Sequence, residues 1–389
     1  HIFPMGIQLM GPDVELMAKA EGLTAHENAV SIRLDFLKER ENKTEPFDIN
    51  DRVRPHLKGA KPYRSARDEF DQENDAFIWL DANENPFNTA YNRYPDPYQK
   101  ALKARIGLLW NTEPDRLFIG NGSDELLELL FQLLCTPKQH NVVAIDPSYG
   151  MYKVLADKYN VSYRSASLST KYELDMETLL GAVDPMTAMV FICSPNNPTG
   201  NSLDLKSMQE LLSALNSLVI VDEAYIDFST QESMIGMIDH YPNLIVVRTL
   251  SKAYGLAGAR LGVGASSKTL IEWLNRIKPP YNVNSLSQQQ ALDRLETAEV
   301  IDKEINEIIV QRNLLSDALK TTSWVKQVFP SDANFILVRV DDADRRYQEL
   351  IENKFVVRNR STQHLCENTL RISVGTPSEN KRLLQFLSE

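Results

Sequence analysis

The sequence predicts an α/β protein in which a large domain with a mostly parallel sheet is followed by a small α+β domain. Between about Asn141 and Gly264, short apolar runs rich in valine and isoleucine alternate with longer amphipathic stretches. Such runs are typical of buried parallel strands, and the stretches between them are typical of crossover helices. The predicted strands are Val142–Ile145, Ala188–Cys193, Leu218–Val221, Leu244–Val247 and Leu261–Val263. A helix is expected to begin near Ser123, because two acidic residues open it and leucines line one face.

The pattern changes after Pro279 and Pro280, where the small domain is predicted. A long amphipathic helix, in one piece or two, is expected from Asn284 through Leu319. The elements expected after it are a strand at Ala333–Val340, a helix at Ala343–Asn353, and strands at Phe355–Arg358 and Thr369–Val374. The stretch Phe47–Leu80 has little core of its own and is expected to pack against this unit. The predicted divisions are residues 1–45 (an N-terminal segment), 46–85 (an arm and part of the small domain), 86–283 (the large domain) and 284–389 (the small domain).

Composition excludes several classes of partner. The chain has 42 basic and 53 acidic residues, giving a net charge of −11, which argues against nucleic acid or an anionic membrane as a partner. No apolar run approaches the length that crosses a bilayer. The three cysteines are scattered and the histidines lack metal-ligand spacing, so no metal site is predicted and a cytoplasmic location is expected. Any phosphate-bearing ligand must therefore bind a local basic pocket.

Polar segments follow three successive predicted strands. They are residues 194–200 (SPNNPTG), 222–225 (DEAY) and 249–252 (TLSK). In open α/β sheets, ligands bind beyond the carboxyl ends of the strands, so these segments are expected to meet in one crevice. A single polar residue at a strand end is usually a cap or turn residue. Three such segments on consecutive strands favour a binding site instead.

The residue types in these segments match the needs of pyridoxal 5'-phosphate. This cofactor is an electron sink, and a carboxylate such as Asp222 can keep its ring nitrogen protonated. Asn197 and Tyr225 can donate hydrogen bonds to the ring hydroxyl. The amine of Lys252 can bind the aldehyde and, once released by substrate, can move protons.

The cofactor phosphate needs hydroxyls, a guanidinium and backbone N–H groups. Thr249, Ser251 and Arg260 can supply the hydroxyls and the guanidinium. The N-terminus of the predicted helix at Ser123 and Asp124 can supply the backbone groups. The glycines in residues 120–122 (GNG) would let the backbone approach the phosphate closely.

The motifs SPNNPTG (194–200), DEAY (222–225) and SKAYGLAGARLG (251–262) resemble those of the fold type I pyridoxal-phosphate aminotransferases. The resemblance extends from about Phe47 to the C-terminus. It implies covalent attachment of the cofactor to Lys252, with Asp222 at the ring nitrogen and Arg260 at the phosphate. It also implies that Asn197 and Tyr225 bind the ring oxygen. Tyr149 would stack on the ring, although a packing role is the alternative for this residue.

Other segments resemble histidinol-phosphate aminotransferases. They are residues 54–56, 61–63, 80–86, 92–96, 331–335, 357–358 and 370–375. The resemblance implies a homodimer in which Tyr94 reaches the partner's cofactor phosphate. Arg371 would bind the carboxylate of glutamate, and Arg358 would add charge for a substrate phosphate, although a surface salt bridge is the alternative for Arg358. Tyr63 and Asn334 would line the pocket. The expected reaction is amino transfer between L-histidinol phosphate and 2-oxoglutarate, both small molecules.

The first residues resemble a different protein. Residues 11–23, 25–30 and 33–34 are similar to the C-terminal tail of histidinol dehydrogenase, in which the residue matching His26 is a zinc ligand. One histidine cannot form a zinc site, so no dehydrogenase activity is expected. Because that enzyme also acts in histidine biosynthesis, the segment favours an imidazole-containing substrate.

Three alternatives remain on the same scaffold. Two are enzymes: a threonine-phosphate decarboxylase and an aromatic amino-acid aminotransferase. The third is a cofactor-binding regulator that has lost catalysis. The presence of Lys252, Asp222 and Arg371 together argues against the regulator.

Overall fold

A seven-stranded sheet forms the centre of the large domain in the computed structural model, which describes residues 47–61 and 77–388. Its strands are β1 (Leu117–Asn121), β2 (Asn141–Asp146), β3 (Ser162–Ser167), β4 (Thr187–Cys193), β5 (Leu218–Asp222), β6 (Leu244–Thr249) and β7 (Leu261–Ser266). Their order across the sheet is β1-β7-β6-β5-β4-β2-β3. Strand β7 is antiparallel to both of its neighbours, and the other pairs are parallel. The predicted mostly parallel sheet is confirmed.

Helices cover both faces of this sheet. They are α1 (Ile49–Arg52), α2 (Pro55–Lys58), α3 (Lys100–Trp110), α4 (Ser123–Leu134), α5 (Met151–Lys158), α6 (Met176–Ala182), α7 (Leu205–Ala214) and α8 (Lys268–Ile277). Because side chains alternate along a strand, Val142 and Ala144 pack with α4, α5 and α8, whereas Val143 and Ile145 belong to the core on the other face. Asn121 and Asp222 end β1 and β5, and the residues that follow these strands begin the site.

The predicted strands of the large domain need two corrections. The run Leu261–Val263 was expected to be parallel to the others, but it forms the antiparallel β7. A parallel return needs a long crossover, whereas only a short 3-10 turn, Ala257–Ala259, lies between β6 and β7. Strands β1 and β3 were not predicted. Strand β3 lies at the sheet edge and reads SYRSAS, which lacks an apolar run.

The small domain has a four-stranded antiparallel sheet with the order β10-β11-β9-β8. Its elements are α9 (Ser285–Leu295), α10 (Ala298–Thr321), β8 (Val325–Val328), β9 (Phe335–Val340), α11 (Ala343–Glu352), β10 (Arg358–Asn359), β11 (Thr369–Ser373) and α12 (Pro377–Ser388). The expected long helix is therefore two helices. The strand expected at Phe355–Arg358 begins only at Arg358, where pairing with Arg371 of β11 starts.

The expectation that Phe47–Leu80 packs against the small domain is wrong for its first residues. Ile49 and Val53 are buried in the same apolar cluster as α4 and α8 of the large domain. Trp273 on α8 donates from Nε1 to Asn50 Oδ1 at 2.9 Å, and the backbone N–H of Arg54 donates to Leu133 O at 3.0 Å. These contacts replace the predicted ones because Ile49 in α1 and Val53 just after it are buried among the large-domain helices.

Some expectations concern other parts of the chain. Residues 1–45, including His26, lie outside the described residues, and the remaining domain boundaries stay predictions. The described helices include none that is long and apolar enough to span a membrane. Cys135, Cys193 and Cys366 are all buried and unpaired.

Candidate active site

Lys252 lies just beyond the end of β6, in a loop held by the backbone of β7. The N–H of Leu250 donates to Leu261 O at 3.0 Å, and the N–H of Gly255 donates to Lys252 O at 3.2 Å. The residue is exposed, but partial burial of its amine, followed by the charges of Arg371 and Arg260, lowers the pKa of Lys252. A lowered pKa favours the uncharged amine, which is the form that attacks a carbonyl carbon.

Asp222, the last residue of β5, is buried and hydrogen-bonded on both carboxylate oxygens. Oδ2 accepts from the Tyr152 hydroxyl at 2.8 Å, and Oδ1 accepts from the N–H of Ala224 at 3.1 Å. Burial raises the pKa of Asp222 from 3.8 to about 6, against the opposing effect of these hydrogen bonds. A cation bound beside Asp222 would favour its ionised form.

Asn197, Tyr225 and Arg371 form a contact between the two domains. Arg371 of β11 donates from Nη1 to Asn197 Oδ1 at 2.5 Å, and Asn197 Nδ2 lies 3.5 Å from the Tyr225 hydroxyl. The Arg371 guanidinium also lies 5.1 Å from the ring centroid of Phe335. Its buried Nε has no hydrogen-bond partner among the described residues. Asn197 and Tyr225, which are predicted to bind the ring oxygen, therefore lie next to Arg371, which is predicted to bind the substrate carboxylate.

The N-terminus of α4 forms an open cradle next to Arg260. Gly122 precedes the helix with φ +83°, and a Cβ on it would lie 2.6 Å from Arg260 Nη2. A Cβ on Gly262 would lie only 2.1 Å from Ser123 N. No side chain caps α4, so its first backbone N–H groups stay available, and they attract anions.

Hydroxyl and carboxylate groups surround this cradle. Thr249 Oγ1 donates to Leu261 O at 3.1 Å and accepts from the N–H of Ser251 at 3.1 Å. Arg260 Nη2 lies 3.8 Å from Asp124 Oδ2. The structure thus brings together the side chains predicted for the cofactor phosphate, at the start of α4 and the end of β6.

Tyr149 lies just before α5, at the edge of the same site. Its hydroxyl donates to Asp124 Oδ1 at 3.2 Å, and its ring is edge-on to Tyr152 with the centroids 5.6 Å apart. Its predicted stacking on the cofactor ring stays a prediction.

Four further residues were predicted for the site, and the structure describes three of them. Arg358 is exposed on β10, directly opposite Arg371 in the sheet register. Asn334 precedes β9, and its carbonyl accepts from the N–H of Val374 at 2.9 Å. Tyr94 is half exposed and stacks on Tyr281 with the centroids 4.5 Å apart. Tyr63 lies outside the described residues.

Two residues of the site were not predicted. Tyr152 is fully buried and bonds Asp222, but a second tyrosine near Tyr149 looks like any core aromatic. Arg360 adds a third guanidinium near Tyr225 and Arg371. The signal for Arg360 was its spacing of two from Arg358, which places both on one face of a strand.

Comparison with known proteins identifies the family. A model of the aminotransferase class I and II family matches residues 70–387. A histidinol-phosphate aminotransferase from Flavobacterium johnsoniae is 51% identical over 342 residues, which cover 88% of this chain and 98% of the relative. One from Parabacteroides distasonis is 48% identical over 340 residues, covering 87% and 98%. The chain belongs to the histidinol-phosphate aminotransferase family.

Solved structures share the fold of this chain. The histidinol-phosphate aminotransferase of Clostridium acetobutylicum has a TM-score of 0.70 and 25% identity, covering 76% of this chain and 89% of that one. The enzyme from Sinorhizobium meliloti, solved with pyridoxal 5'-phosphate, has a TM-score of 0.69 and 22% identity, covering 76% and 82%. As a member of this family, the aminotransferase has the fold type I architecture and depends on pyridoxal 5'-phosphate.

The residues present fit this cofactor. The cradle that side chains on Gly122 and Gly262 would fill suits a phosphate, and the buried Asp222 suits a protonated ring nitrogen. When bound, pyridoxal phosphate supplies an aldehyde that attaches amines and an electron sink for the bond broken at the amine-bearing carbon. The described residues contain no cluster of histidine, cysteine and acidic side chains suited to a metal ion.

Proposed function

We propose that this aminotransferase transfers an amino group between L-histidinol phosphate and 2-oxoglutarate, giving imidazole acetol phosphate and glutamate. The observation that carries the proposal is the pair Arg358 and Arg371, which lie opposite each other on the small sheet, with Arg371 in contact with Asn197. One pocket must bind a phosphate ester and a dicarboxylate in turn. Guanidinium groups suit both, because they pair in bidentate fashion with carboxylate and with phosphate.

Lys252 is the catalytic residue in this proposal. Its amine would hold the cofactor covalently and, when free, would move the proton at the substrate carbon. The lowered pKa of Lys252 supports both tasks, since an amine that is already charged can neither attack nor accept a proton.

The cofactor contacts that we propose follow the geometry of the site. Asp222 holds the proton on the ring nitrogen, Asn197 and Tyr225 bind the ring oxygen, and Tyr149 stacks on the ring. Arg260, Thr249, Ser251 and the α4 N-terminus at Ser123 and Asp124 bind the phosphate. Their support is the α4 cradle and the burial of Asp222 described above.

The substrate contacts are proposed for the small-domain side of the site. Arg371 binds the carboxylate of glutamate, Arg358 binds the substrate phosphate, and Asn334 and Tyr63 line the pocket. The contact of Arg371 with Asn197 supports this placement, because it puts the guanidinium beside the proposed cofactor ligands.

We also propose that the active unit is a homodimer with composite sites. Tyr94 lines a cavity of about 460 Å³ together with Tyr91, Tyr281 and Leu286. Among the described residues, this lining includes none of the other proposed cofactor ligands. Tyr91, Tyr94 and Leu286 are at least half exposed, which suits an apolar surface covered by a second copy. Tyr94 would then serve the neighbouring subunit's cofactor phosphate.

A substrate panel tests the proposed reaction. The holoenzyme is assayed for glutamate formation from 2-oxoglutarate with histidinol phosphate, histidinol, phenylalanine or threonine phosphate as the amine. We expect histidinol phosphate to have by far the highest kcat/KM and histidinol to be poor. Equal use of phenylalanine would support the aromatic aminotransferase instead, and carbon dioxide release from threonine phosphate would support the decarboxylase.

A further inference from the structure

Three arginine side chains lie on one face of the small sheet. Arg358 and Arg371 are direct partners in the antiparallel register of β10 and β11. The N–H of Arg360 donates to Thr369 O at 2.9 Å, so the pairing continues one step beyond β10. Because side chains alternate along a strand, Arg358, Arg360 and Arg371 share a face.

The neighbours of this sheet identify the face. Val357, Leu370 and Ile372 point into the small-domain core. Asn359 also points away from the arginines, since its Nδ2 donates to Asp344 Oδ1 on α11 at 2.6 Å. The arginine face is the opposite one, where Arg371 contacts Asn197 of the large domain. Arg360 lies close enough to Tyr225 for the two side chains to influence each other electrostatically.

This arrangement is unfavourable for the protein alone. Like charges directly opposite each other in a sheet are destabilising. Across residues 47–61 and 77–388, none of the ion pairs involves these arginines. The Nε atoms of Arg360 and Arg371 are buried without a partner in the same ranges. Burial, and then the neighbouring guanidiniums, lowers the pKa of both side chains. A bound anion would relieve the repulsion and the missing hydrogen bonds together.

We propose that Arg360 is a specificity-determining residue that binds the phosphate of the amino donor together with Arg358 and Arg371, an inference that rests on the proposed function. A phosphate monoester carries nearly two negative charges at neutral pH and has three acceptor oxygens. Each carboxylate of glutamate has one charge and two oxygens. Three guanidiniums therefore match one phosphate group better than one carboxylate group, and Arg360 supplies the additional guanidinium.

Separate half-reactions test this role, because each exposes the holoenzyme to only one amine. Conversion of the cofactor is followed by absorbance with histidinol phosphate or with glutamate as donor. For Arg360→Gln we expect kcat/KM to fall about 10- to 100-fold with histidinol phosphate. With glutamate the change should be less than about threefold. Arg360→Lys, which keeps the charge but not the planar fork, should lie between wild type and Arg360→Gln with histidinol phosphate.

Arg345→Gln is the matched control, because Arg345 is an exposed arginine on α11 that pairs with Asp341 at 2.7 Å and with Glu349 at 3.8 Å. It should leave both half-reactions near wild type.

The pH dependence is a second readout. The second phosphate pKa is about 6, so the wild-type preference for histidinol phosphate over histidinol should increase from about pH 5 to 7, and should increase less in Arg360→Gln.

Equal losses with both donors, or no loss with either, would overturn the inference while leaving the proposed function intact. Failure of the wild type to use histidinol phosphate would overturn both. If Arg360→Gln unfolds at a lower temperature than the wild type, Arg360→Lys decides: a loss confined to histidinol phosphate supports the inference, and equal losses contradict it.

Discussion

The Tyr152 hydroxyl donates a 2.8 Å hydrogen bond to Asp222 Oδ2, and both side chains are buried beneath the site. In the proposed complex, the ring nitrogen of the cofactor and Asp222 would compete for one proton. The hydrogen bond from Tyr152 lowers the proton affinity of Asp222, so it favours keeping that proton on the ring. Tyr152 is therefore a positioning residue for the proposed chemistry.

Tyr152→Phe should reduce turnover about tenfold or more, because a hydrogen bond to a charged group contributes about 1.5–3 kcal/mol. The ring should still pack on Phe191, whose centroid lies 4.7 Å away. Steady-state kinetics and cofactor affinity measure the effect. Tyr159→Phe is the control, since that hydroxyl bonds Glu128 outside the site at 2.6 Å. Equal kinetics for the two variants would show that the bond to Asp222 is only structural.

Asp222→Asn should lose most of the transaminase rate but stabilise the cofactor-free protein at high pH. Burial raises the pKa of Asp222 in the folded state from 3.8 to about 6, so folding favours its protonated form. The stability of the cofactor-free wild type should therefore decrease as the pH rises from about 4 through 6, by roughly 3 kcal/mol from this group. The cofactor-free Asp222→Asn variant should not show this decrease in stability with rising pH.

Denaturant unfolding at about pH 4 and pH 8 measures this difference, with the cofactor removed from both proteins. The variant should be more stable than the wild type at the higher pH and gain nothing at the lower pH. A variant that works within a few-fold of the wild-type rate would show instead that Asp222 only ends its strand.

Gly262→Ala should weaken both the fold and cofactor binding. The added Cβ would lie 2.1 Å from Ser123 N, so the start of α4 must move away from β7. Overpacking of this kind costs about 1–3 kcal/mol or more. Thermal unfolding and cofactor titration measure the two effects. Gly181→Ala is the control, because a Cβ there meets no atom within 4 Å. Matching behaviour of the two variants would rule out a tight α4 cradle.

Mixing two defective proteins tests the composite site. Lys252→Ala and Tyr94→Ala should each have low activity as homodimers. If Tyr94 serves the neighbouring subunit, a hybrid dimer has one site with an intact lysine from one chain and an intact tyrosine from the other. Co-expression should therefore restore activity in proportion to the hybrid fraction. A fully active monomer, verified at assay concentration, would exclude the homodimer.

The sequence was most informative where strands are buried on both faces. Strands β2, β4, β5 and β6 were predicted because such strands are continuous apolar runs. Strand β3 was not predicted, because its position at the edge of the sheet leaves it polar. The direction of β7 was predicted wrongly, because it depends on a short connection rather than on the residues of the strand. The position of α1 depends on Trp273, which is 223 residues away in the chain, and no local pattern contains that contact.

The site was predictable where chemistry and strand ends coincide. Asp222 ends β5, and Asn197 and Lys252 lie a few residues beyond the ends of β4 and β6, so the parallel strands bring them to the same edge of the sheet. Tyr152 and Arg360 were missed for different reasons. Tyr152 acquires its role through Asp222, 70 residues away, and Arg360 acquires its role through sheet pairing that begins only at Arg358.

Covalent attachment of the cofactor at Lys252 is the central claim, and borohydride reduction of the holoenzyme followed by peptide mass mapping tests it most directly. Reduction should fix the cofactor irreversibly on the peptide that contains Lys252, and transamination should be lost. Lys252→Ala should keep its fold, fail to be labelled and lose activity by many orders of magnitude. Lys278→Ala, which removes a different buried lysine, should still be labelled at Lys252. Labelling of any other lysine, or an active Lys252→Ala protein, would contradict the account.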